Sequence, residues 1–189
     1  MTKTLPAIVS TSALALRSKQ LLAVLALSLA AICQWVCADT TYQTPEDFIH
    51  EAFPAAQVGE PKASVFWLDK ATQDDISKIL GHAYPQARLR YWRQGITSVW
   101  ILEEIGKEYP ITAGFIISED KITRAQVLIY RETRGMEIHL PGFLAQFNNN
   151  SLAGDKLTHK IDGIAGATMS VNAMVKMAQV ALLLNRKAQ

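Results

Sequence analysis

Apolar and polar positions alternate along this chain with two periods, and the period changes with position. From Val171 to Leu184, Ala173, Met174, Met177, Ala178, Ala181 and Leu182 recur at helical spacing, and Asn185-Arg186-Lys187 suits a helix carboxyl end. In the middle of the chain the pattern turns to β-branched and aromatic runs. Leu89 to Arg93, Ser98 to Leu102, Ile111 to Ile117 and Ile122 to Tyr130 read as strands. Gln94-Gly95 and Ser118 to Lys121 read as hairpin turns between them, so these neighbours are expected to be antiparallel. Two further helices are expected. One starts at Thr44-Pro45-Glu46, runs through Asp47 to Phe53 and is stopped by Pro54; the other covers Gln73 to Leu80, with Asp74 and Asp75 at its positive end and Gly81 as its stop. The sum is an α+β fold, an antiparallel sheet with packed helices, in a single domain over residues 39–189.

Charge divides the chain before that domain begins. The formal net charge is +2, but Lys3, Arg17 and Lys19 all precede the first acidic residue, Asp39. The remainder is close to neutral and holds no basic run, which removes the electrostatic case for nucleic acid. Arg17 and Lys19 lead into the uncharged apolar run Leu21 to Ile32, and Val36-Cys37-Ala38 precedes Asp39. A charged start, an apolar run and a small-residue site are the parts of a secretory signal. About 12 apolar residues engage export but fall short of the roughly 20 that span a bilayer. Residues 1–38 are therefore expected to be a signal peptide that sends the domain to the periplasm; left uncleaved, the same segment would be a membrane anchor. Cys33 and Cys37, the only cysteines, lie inside it, so its removal would take disulfide, iron–sulfur and thiolate-metal chemistry with it.

The stretch that carries chemistry is Asp162-Gly163-Ile164-Ala165-Gly166-Ala167-Thr168-Met169-Ser170. Small side chains crowd the approach to a threonine, and a helix is expected right after it. Such positions let another molecule reach the backbone, and the unpaired N–H groups of a first helical turn attract phosphate. The same residues also suit a tight loop capped by Thr168 or Ser170, and spacing by itself does not separate the two. His50, His82, His139 and His159 never fall at metal-ligand spacing and read as surface or core side chains. Trp67, Trp92 and Trp100 read as strand residues of the core, although they could border a cofactor. Gly142 to Phe147 is expected to form a short amphipathic piece near the loop.

Asp162-Gly163-Ile164-Ala165-Gly166-Ala167-Thr168 resembles the flavinylation motif of the FMN-binding domain family. That family includes the C subunit of the sodium-pumping NADH:quinone oxidoreductase and the G subunit of the Rnf electron-transport complex. Ala165 stands where the family usually has serine. A second segment, Tyr130-Arg131-Glu132-Thr133-Arg134-Gly135, resembles the family's Glu-Thr-Pro-Gly segment, with Arg134 in place of proline. Without the motifs, Arg131 and Arg134 would read as solvated charges at a strand end.

The resemblance implies FMN joined through a phosphoester to Thr168, with Asp162, Gly163, Ile164, Ala165, Gly166 and Ala167 forming the motif around it. It implies that Glu132, Thr133 and Gly135 lie against the flavin, Glu132 and Thr133 hydrogen-bonding its ring or ribityl chain. The FMN would come from FAD through a separate Mg-dependent flavin transferase. The implied role is an electron-transfer carrier between an unidentified membrane or periplasmic electron donor and acceptor. Two other readings share the fold: a non-redox binding or assembly module, and a flavin-dependent reductase of a small substrate. Against the latter, the domain is small and has no nicotinamide-binding Gly-x-Gly-x-x-Gly.

Overall fold

The computed structural model describes residues 39–53 and 61–189. In it the β-branched runs pair into one sheet made of β1 (Thr40–Thr41), β2 (Ala63–Trp67), β3 (Arg88–Gln94), β4 (Thr97–Ile105), β5 (Pro110–Ser118) and β6 (Lys121–Tyr130). Strands β2 to β6 follow one another as an antiparallel meander, and β1 returns to pair with β6, Thr40 opposite Tyr130. The expected α+β fold with an antiparallel sheet is the fold observed. Both expected hairpins form. Gly95 opens the β3–β4 turn at φ +56°, and Glu119 and Asp120 both take left-handed φ in the β5–β6 turn. Left-handed turn residues match the right-handed twist of the flanking strands. Strand β2 was not anticipated, because its exposed alternate positions, Val65 and Trp67, hide the inward face marked only by Phe66.

Helix α1 (Pro45–Ala52) begins as its sequence suggests, the Thr44 hydroxyl accepting from the Asp47 N–H at 3.1 Å. Pro54, its expected stop, and the expected signal segment 1–38 lie outside the described residues. Phe48 and Ile49 of α1 cover the outer face of the sheet, against Val99, Ile116 and Leu128. Gly114 makes that approach feasible, since a Cβ there would stand 2.4 Å from the Phe48 ring.

Helix α2 (Lys70–Leu80) starts one turn before the expected Gln73. Its cap is Asp69, which accepts from the Thr72 N–H at 2.8 Å. Asp74 and Asp75 consequently lie inside the helix, paired with Lys70 at 2.6 Å and Lys187 at 3.1 Å, rather than at its positive end. Gly81 ends the helix in the left-handed region, as expected.

The chain between β6 and the last helix holds a 3-10 turn over Met136–His139, a short helix α3 (Pro141–Leu144), a second 3-10 turn over Ala145–Phe147, and the two-residue strands β7 (Leu152–Ala153) and β8 (Lys156–Leu157). The expected piece from Gly142 to Phe147 is thus α3 and its continuation, burying Phe143, Leu144 and Phe147. Helix α4 (Thr168–Lys187) crosses the inner face of the sheet. It buries Met174, Met177, Ala178 and Ala181 in one core with Trp100, Phe115 and Ile117. Burying a side chain the size of Met or Phe stabilises by about 1.5–3 kcal/mol. The far end of α4 is fixed by Asn185, whose amide oxygen accepts from Ser98 at 2.7 Å and Arg93 at 2.8 Å. Tyr91 stacks on Trp100 with ring centroids 4.6 Å apart.

Because α4 is longer than its apolar periodicity, it starts at Thr168 and not at Val171. Its first residue lies beside the ends of β4 and β6, and there the site forms.

Candidate functional site

Tyr130 is the last residue of β6, and its buried hydroxyl ties two loops together. It donates to the Arg134 carbonyl and shares a hydrogen bond with the Ser170 hydroxyl at 3.1 Å. Burial pushes the Tyr130 phenol above its usual pKa. Gly135 closes the same junction at φ +85°; a Cβ there would stand 2.9 Å from Ser170 Oγ and 3.2 Å from the Ala167 Cβ. The loop after β6 therefore lies flush against the start of α4. Ser170, one of two candidate helix caps, caps nothing: it is buried inside the first turn and faces Tyr130. Thr168 is likewise no cap, being the first residue of the helix proper.

Glu132 extends this junction to the β4–β5 turn. Its Oε1 accepts from the backbone N–H groups of Lys107 at 2.5 Å, Glu108 at 2.7 Å and Tyr109 at 3.1 Å. Partial burial pushes the carboxyl up, but these three donors and the Lys107 charge outweigh it and hold the pKa below its ordinary value. Gly106 leaves the space, since a Cβ there would stand 2.7 Å from that oxygen. One oxygen of Glu132 is thus spent on positioning a turn, and a flavin contact would fall to the other. Arg131 is not a solvated charge. Its guanidinium donates to Thr112 Oγ1 at 2.9 Å, to the Pro110 carbonyl and to Asp39, and only Arg134 is exposed as expected.

The start of α4 is open. Ala167 donates its N–H to the Ile164 carbonyl, and the first helical bond runs from the Val171 N–H to the Ala167 carbonyl at 2.9 Å. The N–H groups of Thr168, Met169 and Ser170 have no acceptor within the helix, and no side chain caps them. Gly166 precedes them at φ +83°, with open space where a side chain would stand.

The residues that carry them line a cavity of about 510 Å³. Gly166, Ala167, Thr168, Met169 and Ser170 line it on one side, Glu132, Thr133 and Arg134 on another, and Lys107 and Glu108 close it. The structure therefore brings both expected segments to one cavity, with the Thr168 side chain exposed beside it. Asp162, Gly163, Ile164 and Ala165 do not line it; they lead the chain in, held by Gln146, which accepts from the Asp162 N–H at 2.7 Å. Gly135 packs behind the cavity rather than in it. None of Trp67, Trp92 and Trp100 lines it, and Trp100 is core.

Residues 106–183 match the family model described as FMN-binding domain. Over this stretch the chain is similar to the FMN-binding domain family. The match begins at Gly106, in the turn that Glu132 holds, and takes in both the 132–135 loop and Thr168. No curated protein matches the chain.

The cavity suits the group that the family's description names. Its volume falls within the range of about 300–1,000 Å³ usual for small-molecule sites. Three unpaired N–H groups at a helix start, flanked by Lys107 and Arg134, complement a phosphate. Ala167 and Met169 offer apolar contact. Sequence reasoning missed Lys107, Glu108 and Gln146 as parts of the site, and the contact of Tyr130 with Ser170. Gly106-Lys107, between two strand patterns, was the one available signal of a turn there.

Proposed function

We propose that this protein is an exported flavoprotein carrying FMN phosphoester-linked to Thr168, and that it works as an electron-transfer carrier in an extracytoplasmic redox chain. The observation that carries this reading is the position of Thr168: exposed, first in an uncapped helix, on the rim of the cavity that the 132–135 loop also lines.

That position supports the proposed linkage. The Thr168 oxygen would form a bond to the FMN-side phosphorus of FAD, the pyrophosphate bond would break, AMP would leave and the hydroxyl proton would pass to a base. A separate transferase with Mg²⁺ would neutralise the pyrophosphate charge. Once attached, the phosphate would meet the N–H groups of Thr168, Met169 and Ser170 and the positive end of α4. Lys107 and Arg134 would supply countercharge. Bound FMN supplies the redox chemistry itself, accepting and releasing electrons at its ring. Glu132 would keep the 107–109 turn in place around it, and Thr133 would offer its hydroxyl. A tether suits an exported carrier, because a diffusible cofactor is lost to a dilute compartment.

The test is direct. The protein is exported together with a flavin transferase, denatured, run on a gel and viewed under ultraviolet light. A fluorescent band that is absent in Thr168→Ala supports the ester; a dark wild-type band beside an active transferase rules it out. Mixing reduced holoprotein with small-molecule acceptors then separates a carrier from a reductase.

A further inference from the structure

The sheet ends on one side at β2, which pairs with β3 alone among the described residues. The opposite edge, β1, is only 2 residues long. Strand β2 is Ala63-Ser64-Val65-Phe66-Trp67, with no charge, no proline and no break in its register with β3. Edge strands usually carry one of these devices, because an edge without them pairs readily with another strand.

Which backbone groups face outward follows from the alternation of hydrogen bonds. The Leu68 N–H donates to the Ala87 carbonyl at 3.0 Å, one step beyond the pairing of Trp67 with Arg88. Bonded and non-bonded pairs alternate along an antiparallel ladder, so Phe66 and Ser64 also bond β3. The N–H and C=O groups of Ala63, Val65 and Trp67 therefore point away from the sheet. Their side chains share one face and are exposed, Val65 at 49% and Trp67 at 67%.

We propose that β2 pairs antiparallel with β2 of a second copy of this chain, about a two-fold axis at Val65. This register sets Val65 against its own copy and Ala63 against the partner's Trp67, so every outward N–H meets an outward carbonyl. Sliding the copies by two residues loses bonds in either direction. One slide puts Trp67 opposite Pro61, which has no N–H; the other puts Ala63 opposite Asp69, the cap of α2. Side chains agree with the register. Trp67 comes beside the partner's Ala63 and Phe66 beside the partner's Ser64, large against small on both faces. Lys62, which has no acidic partner among the described residues, comes to the end of the partner strand, where Asp69 follows. Arg90 and its copy stand three strand spacings apart, about 14 Å, beyond a Debye length of about 8 Å. The two-fold pairing consumes both free edges, so assembly stops at the dimer. None of this depends on the Thr168 ester.

The experiment follows amide hydrogen exchange of the full chain over a range of protein concentrations. The Val65 and Trp67 amides are expected to exchange freely when dilute and to slow about tenfold or more as concentration rises, whereas Phe66, bonded to β3, is protected throughout. In Val65→Lys, which sets like charges on the axis, the slowing is expected to disappear. Cysteine cross-linking reads the register. Val65→Cys should join to its copy under mild oxidant, since the Cα atoms of a bonded pair face each other at about 5.5 Å. Ala63→Cys, also exposed, should not exceed wild type, whose Cys33 and Cys37 set the background, unless it is mixed with Trp67→Cys. Protection at every concentration would mean that the chain covers its own edge, and exchange at every concentration that the edge stays open. Either result overturns the proposal, as does equal cross-linking of Val65→Cys and Ala63→Cys.

Discussion

A Cβ on Gly135 would stand 2.9 Å from the Ser170 hydroxyl oxygen, so the loop after β6 and the first turn of α4 meet with no room between them. Gly135 also holds a left-handed φ that β-carbon residues rarely adopt. Gly135→Ala is therefore expected to destabilise the fold by about 1–3 kcal/mol. It should also lower FMN content, because Ala167 moves with the loop. Thermal unfolding and bound-flavin absorbance check both; an unchanged melting temperature with full flavin contradicts the packing role.

Glu132→Ala removes the acceptor shared by the N–H groups of Lys107, Glu108 and Tyr109. Hydrogen exchange at those three amides should quicken, while α4 amides such as Val180 stay protected. The stability cost is expected to be about 1 kcal/mol, discounted from the usual value for a charged acceptor because the site is partly solvated. Since the folded pKa lies below the ordinary 4.5, this contribution is present above pH 4.5 and is lost as pH falls through the folded value. An acid titration of stability in wild type and variant should converge at low pH.

How much of this was readable in the sequence depends on which signals were local. The strands of the meander and the core of α4 were legible because β-branched runs and helical spacing record burial directly. The start of α4 was not, since Thr168-Met169-Ser170 carries no apolar stripe. Ser170 is a frequent capping residue, and only its meeting with Tyr130, forty residues earlier in the chain, takes it out of that role. Asp74 and Asp75 suggested a start one turn late for α2 because acidic residues favour the first helical turn, and the Lys187 partner of Asp75 is visible only in three dimensions. The two motifs could be seen, but that they share a cavity with Lys107 could not. That contact is made by one carboxylate oxygen reaching a turn in another hairpin.

Glu104 is buried on the inner side of β4, within 3.1 Å of His82 Nε2 and 3.5 Å of Lys176 Nζ. The Ala83 carbonyl accepting from the imidazole, then the Glu104 carboxylate, raise the His82 pKa above 6.5. Protonated His82 therefore contributes stability that is fully present below pH 6.5 and is lost as pH rises through the folded value. Tyr84, pushed up to about 12 by burial and then by Glu103 and Glu104, stays neutral over that window. The melting temperature should fall as pH rises above 6.5, and His82→Gln should flatten the slope. An identical slope in the variant would place the effect elsewhere.

Asn185 offers a control far from the cavity. Its amide oxygen accepts from Ser98 and Arg93, and its amide nitrogen donates to Asp120 at 2.7 Å. Asn185→Leu leaves those groups without their shared partner and should cost about 2–4 kcal/mol. Folded variant at low temperature should still take up flavin. Loss of uptake without loss of stability would contradict this separation.

The connectivity of the sheet has a bearing on the order in which the molecule assembles. Strands β3 to β6 join neighbours in sequence through short turns, so each pairing closes a small loop at little entropic cost. The junction of Gly135 with Ser170 instead closes across the whole stretch between β6 and α4. The meander should form early and that junction late, so a threonine presented there becomes available to another enzyme only once folding is complete. Modification at such a position would act as a certificate of the finished fold, marking native molecules and passing over incomplete ones.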